Sequence, residues 1–221
     1  SDFEESCKLY DCITRGKIQH LIGKFYYTNN QEEEAIQYFK KALAESWVHC
    51  ENVTAFEISN TLYNIGVSYH YTNEILEGKK YLDSAFLIIS TIPNYPKDLL
   101  ASKYQGAGSY FSDVSDFLRA ETYFKNALAL NEHISETKSF DINIDLIVLY
   151  LKFKKYDAAL SILSDVNEKF IKSNSSVSSI DKAIFYLNFS EYFFIQKKYS
   201  EAINQCNKAI QLLPPEEVDY L

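Results

Sequence analysis

The sequence predicts an all-α chain, a superhelix (solenoid) of five helical hairpins behind an N-terminal helix, and three observations predict it. First, 221 residues carry only four prolines and six glycines, too few to turn short strands every 8–12 residues or so. Second, a residue that is small in four copies and isoleucine in one, an aromatic residue and three further small or apolar residues recur five times at offsets of 3, 9, 4 and 3. Third, no run approaches the roughly 18 apolar residues of a membrane span, so the 47% apolar content serves one continuous core.

The elements follow in order. Residues 1–15 form an N-terminal capping or linker helix, with Phe3, Cys7 and Tyr10 on a stripe of helical period. The first repeat, 16–58, carries Gly23, Tyr26, Ala35, Phe39 and Ala42. The second, 59–100, repeats them as Gly66, Tyr69, Gly78, Leu82 and Ala85, and ends in a stretch broken by Pro93 and Pro96. The third, 101–139, has Gly108, Phe111, Ala120, Phe124 and Ala127. The fourth, 140–182, has Ile147, Tyr150, Ala159, Leu163 and Val166, and ends in a stretch that holds the serine-rich interruption Ser173–Ser179. The fifth, 183–215, has Ser190, Phe193, Ala202, Cys206 and Ala209, and is stopped by Pro214 and Pro215 before a tail at 216–221. Such spacing places a small residue of one helix against its antiparallel partner, with rings filling the gaps beside the contact. The first four units exceed 34 residues, and the extra segments Val48–Ile58 and Lys172–Lys182 are expected to lengthen helices.

Charge and composition exclude several functions. A net charge of -8 and a pI near 5.1 repel phosphate backbones, so this chain is expected to make no nucleic-acid contact itself. Cys7, Cys12, Cys50 and Cys206 show no paired spacing and read as small buried hydrophobes of a reduced, cytoplasmic protein. His20, His49, His70 and His133 lack metal-ligand spacing, and no phosphate loop or nucleophile elbow occurs. The expectation is no enzyme, no metal and no cofactor. The lack of any methionine suggests a fragment that begins after a preceding segment.

The runs EAIQYFKKAL at 34–43 and EAINQCNKAI at 201–210 resemble the second helix of a tetratricopeptide repeat, and the resemblance spans about residues 16 to 213. In such a stack the first helix of each repeat lines the concave side. The register then points Lys17, His20, Lys24 and Tyr27 inward from the first repeat, and Asn60, Tyr63, Asn64, Val67, His70 and Tyr71 from the second. The third supplies Ser102, Gln105, Ser109, Ser112 and Asp113, and the fourth Asp141, Ile144, Asp145, Val148 and Lys152. The fifth supplies Ile184, Leu187, Asn188, Glu191 and Phe194. Amides and hydroxyls in that position grip a peptide backbone while pockets read its side chains. The predicted peptide-binding set is Lys24, Tyr27, Asn60, Tyr63, Asn64, Gln105, Ser109, Asp145, Asn188 and Glu191, with Asn64 and Asn188 in one shared register position. Lys17, His20 and Lys24 would orient an acidic part of the peptide toward the first repeat.

The period near 42 and the run TLYNIG at 61–66 resemble the C-terminal sensor domain of Gram-positive quorum-sensing regulators of the Rap, NprR and PlcR group. That resemblance implies a short signalling peptide in the groove, a DNA-binding domain elsewhere in the parent protein, and a homodimer. The alternative is a tetratricopeptide scaffold that assembles proteins without switching.

Overall fold

The computed structural model describes residues 2–47, 50, 53–72, 74–130, 133–173 and 175–213. Among them are ten α-helices and no strand, in agreement with the predicted fold class. No described helix is long and apolar enough to cross a membrane. The side chains of Phe3, Cys7 and Tyr10, together with residue His49 and the Pro214–Pro215 stop, lie outside the described ones.

Two compact units divide the chain. The first spans Ser1–Pro96 and holds two hairpins. Helix α1 (Asp2–Thr28) pairs with α2 (Glu32–Lys41), and α3 (Ala55–Ser68) with α4 (Ile75–Ile89). The expected N-terminal helix and the first helix of the first repeat are one uninterrupted helix. A π-helical turn, Ala42–Trp47, extends α2 and tucks Trp47 under Gly16, where the indole leaves no room for a Cβ. Helix α3 starts on a capping box: Thr54 Oγ1 accepts from the Glu57 N–H, and the Glu57 carboxylate accepts from the Thr54 N–H. That cap falls inside the extra segment 48–58, so the extra residues do lengthen α3. Ala35, Ile36, Phe39, Ile65 and Tyr69 form the buried centre, with Tyr26, Leu43 and Tyr81 against it.

The second unit, Lys97–Leu221, holds three hairpins. They are α5 (Lys97–Asp113) with α6 (Phe117–Leu128), α7 (Glu136–Lys152) with α8 (Tyr156–Val166), and α9 (Ser179–Ile195) with α10 (Tyr199–Leu212). The first helices are each 17 residues long. Ser135 and Ser178 cap α7 and α9 by accepting from Lys138 N–H and Asp181 N–H.

The hairpin turn is coded by backbone in both units. Asn30, Ser115, Lys154 and Lys197 take left-handed φ of 55°, 62°, 59° and 60°. The next residue's N–H reaches back five positions, as in Gln31 to the Tyr26 carbonyl (3.0 Å) and Lys198 to the Phe193 carbonyl (2.9 Å), the Schellman closure of a helix end. The helices cross at the recurrent small residue. A Cβ on Gly23 or Gly108 would lie 2.7 or 2.6 Å from the ring of Phe39 or Phe124. In the fourth repeat the same crossing is filled instead by fully buried Ile147 and Leu163. In the fifth, Ser190 Oγ lies 3.0 Å from Cys206 Sγ.

The cysteine reading needs correction. Cys12 and Cys50 are joined in a disulfide across 38 residues, with Cα atoms 6.2 Å apart. The turn that follows α2 returns the chain to α1, which sequence spacing does not reveal. Cys206 is free and half-buried.

Candidate binding faces

In the first unit α1 and α3 lie side by side, and their facing side chains are already tied together. Lys17 Nζ pairs with Glu57 at 3.3 Å. Burial opposes ionisation of Glu57, but hydrogen bonds from Thr54 and Lys17 hold its carboxyl below the usual range. The Thr61 hydroxyl donates to the Glu57 carbonyl (3.1 Å), so it accepts from His20 Nδ1–H at 2.8 Å. Asn64 Nδ2 donates to His20 Nε2 at 3.3 Å. Both nitrogens of the imidazole are thus engaged by α3. The ring stacks on Trp47, 5.5 Å between centroids at 27°.

Asn60 Oδ1 accepts from the buried Tyr95 phenol at 3.2 Å, and burial pushes that phenol up to about 12. Tyr63 is half-buried beside Phe86, with its phenol raised by burial. Tyr27 is raised by burial first and by Tyr71 and Glu32 after it. Lys24 is exposed on α1. Val67, expected to line the groove, is buried in the core instead, because at that point α3 turns its apolar face inward. His70 stacks on Tyr71 in the short 3₁₀ turn that ends α3.

A cavity of about 250 Å³ opens between α1 and α3, lined by Lys17, His20, Leu21, Trp47, Phe56, Glu57 and Asn60. Trp47 Nε1 is a buried donor with no hydrogen-bond partner among the described residues, and it abuts Gly16.

The second unit builds its face from a chain of polar contacts between α5 and α7. Lys138 Nζ donates to Gln105 Oε1 at 3.0 Å, and Gln105 Nε2 donates to Asp145 Oδ2 at 2.6 Å. Burial pushes the Asp145 carboxyl up to about 6 despite the Gln105 bond, with Asp141 adding to the rise. Asp141 is itself raised, by burial and then by Asp181. One helical length away, Lys152 Nζ reaches the Ser112 carbonyl at 2.7 Å and Asp113 at 3.3 Å. The Ser109 hydroxyl bonds the Gln105 carbonyl of its own helix. On α9, Asn188 Nδ2 likewise turns back to the Ile184 carbonyl at 2.9 Å, and Glu191 is exposed. A second cavity of about 220 Å³ sits away from this face, lined by Leu128, Ser139, Asn143, Asp165, Val166, Lys169 and Phe170.

Asn60, Tyr63 and Asn64 of the sequence-predicted set lie on one helix, and the structure brings Gln105 and Asp145, named separately from the sequence, into contact. The sequence reading missed Tyr95 and Lys138, which bond Asn60 and Gln105, and Thr61 and Trp47, which contact His20. The sole tryptophan was the one available signal. Among the described residues no group of three or more His, Cys, Asp or Glu converges as a metal site would.

A family profile for the tetratricopeptide repeat matches residues 16–45. No curated protein matches the chain. Solved structures do. BtubC (BKLC) from P. vanneervenii superposes with a TM-score of 0.74 at 15% identity, over 95% of this chain and 85% of that one. A Podosopora anserina chain described as a putative kinesin light chain with nearly identical TPR-like repeats gives 0.71 at 12% identity, over 90% and 95%. A point variant of that Podosopora anserina chain gives 0.71 at 11% identity, again over 90% and 95%. The chain thus carries a tetratricopeptide repeat at its first hairpin and shares its all-helical fold with TPR-like repeat proteins.

Proposed function

We propose that this chain is a non-catalytic receptor for an extended polypeptide segment, bound on the first-helix face of each unit. The observation that carries the reading is the pairing, on those faces, of fixed amides with open apolar surface. Asn60 and Asn64 are held by Tyr95 and His20 next to the α1–α3 cavity, and Gln105 is held by Lys138 and Asp145 near exposed Val148. Fixed amides bind a peptide backbone without first losing rotamer freedom. Tetratricopeptide repeats generally mediate protein or peptide binding, which supports the same reading.

The narrower form of this proposal is a signalling-peptide sensor of a cytoplasmic bacterial regulator, with DNA contacted by another part of the parent protein and a homodimer as the working state. The Lys138–Gln105–Asp145 chain supports it, because a peptide backbone that captures Gln105 releases Lys138 and Asp145 and so changes how α5 meets α7. A second reading is a scaffold that does not switch, and the Cys12–Cys50 bond that clamps the first hairpin supports that one. The test is to pan the full chain against a random dodecapeptide display library and titrate the selected peptides by calorimetry. Selected binders whose affinity falls about tenfold, or about 1.4 kcal/mol, in Asn64→Ala and Gln105→Ala variants are the expected result. A library that yields no binder overturns the proposal. A change in scattering profile on saturation favours the sensor, and an unchanged profile the scaffold.

A further inference from the structure

The floor and walls of the α1–α3 cavity are apolar: Trp47 is 3% exposed, Phe56 is half-buried, and Leu21 stands 62% exposed at the mouth. Its rim is polar but internally neutral, since Lys17 and Glu57 pair with each other. Asn60 brings an amide to the rim. Asn60 uses its oxygen to accept from Tyr95, which fixes the amide so that its NH₂ edge faces away from that phenol. The bond therefore selects which end of the amide a ligand meets.

We infer that this cavity is a side-chain pocket that takes one uncharged apolar residue, of leucine or phenylalanine size, from an extended peptide whose adjacent carbonyl accepts from Asn60 Nδ2. The inference rests on the polypeptide-binding reading above. Three arguments select the occupant. The volume of about 250 Å³ lies below the roughly 300–1,000 Å³ of sites that enclose a whole small molecule, so one side chain suits it. A charged side chain would have to displace a member of the Lys17–Glu57 pair, whereas an apolar one leaves it intact. Stacked His20 and Trp47 present ring surface, which favours apolar contact area. Ile18 and Phe25, 51% and 63% exposed, continue the apolar strip of α1 beyond Leu21 and give the flanking peptide residues a surface to cover.

Trp47 is the only tryptophan in the chain, so its emission reports on this pocket alone. The experiment titrates the full chain with peptides selected from the dodecapeptide library, following calorimetry and Trp47 emission in parallel. Binding is expected to shift and quench the emission, and replacing a single leucine or phenylalanine of the peptide by alanine is expected to abolish that change. Leu21→Lys, at an exposed position that leaves the core untouched, is expected to weaken binding about tenfold, and Asn60→Ala by a similar factor. Peptides that bind by calorimetry, leave Trp47 emission unmoved and bind Leu21→Lys equally well overturn the pocket while the receptor reading stands. A library without any binder overturns both.

Discussion

The two units run the same repeat register and reach opposite chemistries on their first-helix faces. In the first unit α1 and α3 are joined through an imidazole, an ion pair and a cavity floored by rings. In the second, α5 and α7 are joined through a lysine, an amide and a carboxyl that burial holds near the middle of the pH range. Register decides where a side chain is placed. The neighbour it meets there decides whether it is available to a ligand, and that neighbour comes from the adjacent repeat.

The sharpest way to separate the units is to reduce the Cys12–Cys50 bond. Closing a loop of 38 residues removes unfolded-state entropy worth about 4 kcal/mol, so reduction should lower the stability of the first unit by about that much. Denaturant unfolding followed by Trp47 emission should move to lower denaturant, while the helical signal contributed by the second unit should not. Coincident shifts in both signals would show that the units do not differ in this way.

The crossings give a second contrast. Gly23→Val should destabilise by about 3 kcal/mol, since the new Cβ already overlaps the Phe39 ring at 2.7 Å. Ile147→Ala, at the equivalent crossing in the fourth repeat, should cost about 3 kcal/mol for the opposite reason, a void against Leu163. Chemical denaturation of both variants checks the pair. If Ile147→Ala were neutral, the fourth crossing would be as close as the first.

Acid sharpens the second unit. The folded-state value of Asp145 is raised from 3.8 to about 6, so its contribution to stability is present in full below about pH 3.8 and is lost as pH rises through about 6. Asp145→Asn should therefore raise stability at pH 8, by on the order of 2 kcal/mol, and remove that part of the pH dependence. Equal stability of variant and parent at pH 8 would show that the carboxylate carries no penalty.

The smallest effect lies in the turns. Lys197→Gly, at φ 60°, should stabilise by about 0.5–1 kcal/mol, because glycine enters the left-handed region without a Cβ clash. A lower melting temperature would place the side chain of Lys197 in a stabilising contact.

Much of this architecture was legible because local rules and repeat rules agree. The offsets that pair Gly23 with Phe39 and Gly108 with Phe124 in the sequence are the crossings found in space. The faces were less legible. Asn64 and Asn188 share a register position, yet Asn64 meets an imidazole from 44 residues earlier while Asn188 turns back to the carbonyl of its own helix. Nothing in a single repeat distinguishes them. Lys138 was missed because it sits in the extra first turn of α7, outside the 34-residue unit that set the register. Cys12 and Cys50 were misread because their meeting depends on a π-helical turn, which no spacing rule encodes.

That covalent link also alters how the chain bears load. Under tension applied at its two ends, force enters along α1, passes from Cys12 to Cys50 and bypasses the first hairpin, so the enclosed 38 residues contribute no extension. Reduction would release about 130 Å of hidden contour length, at roughly 3.5 Å per residue. The first hairpin is thus a reserve of slack, locked while the bond is intact and let out under tension once a reductant opens it.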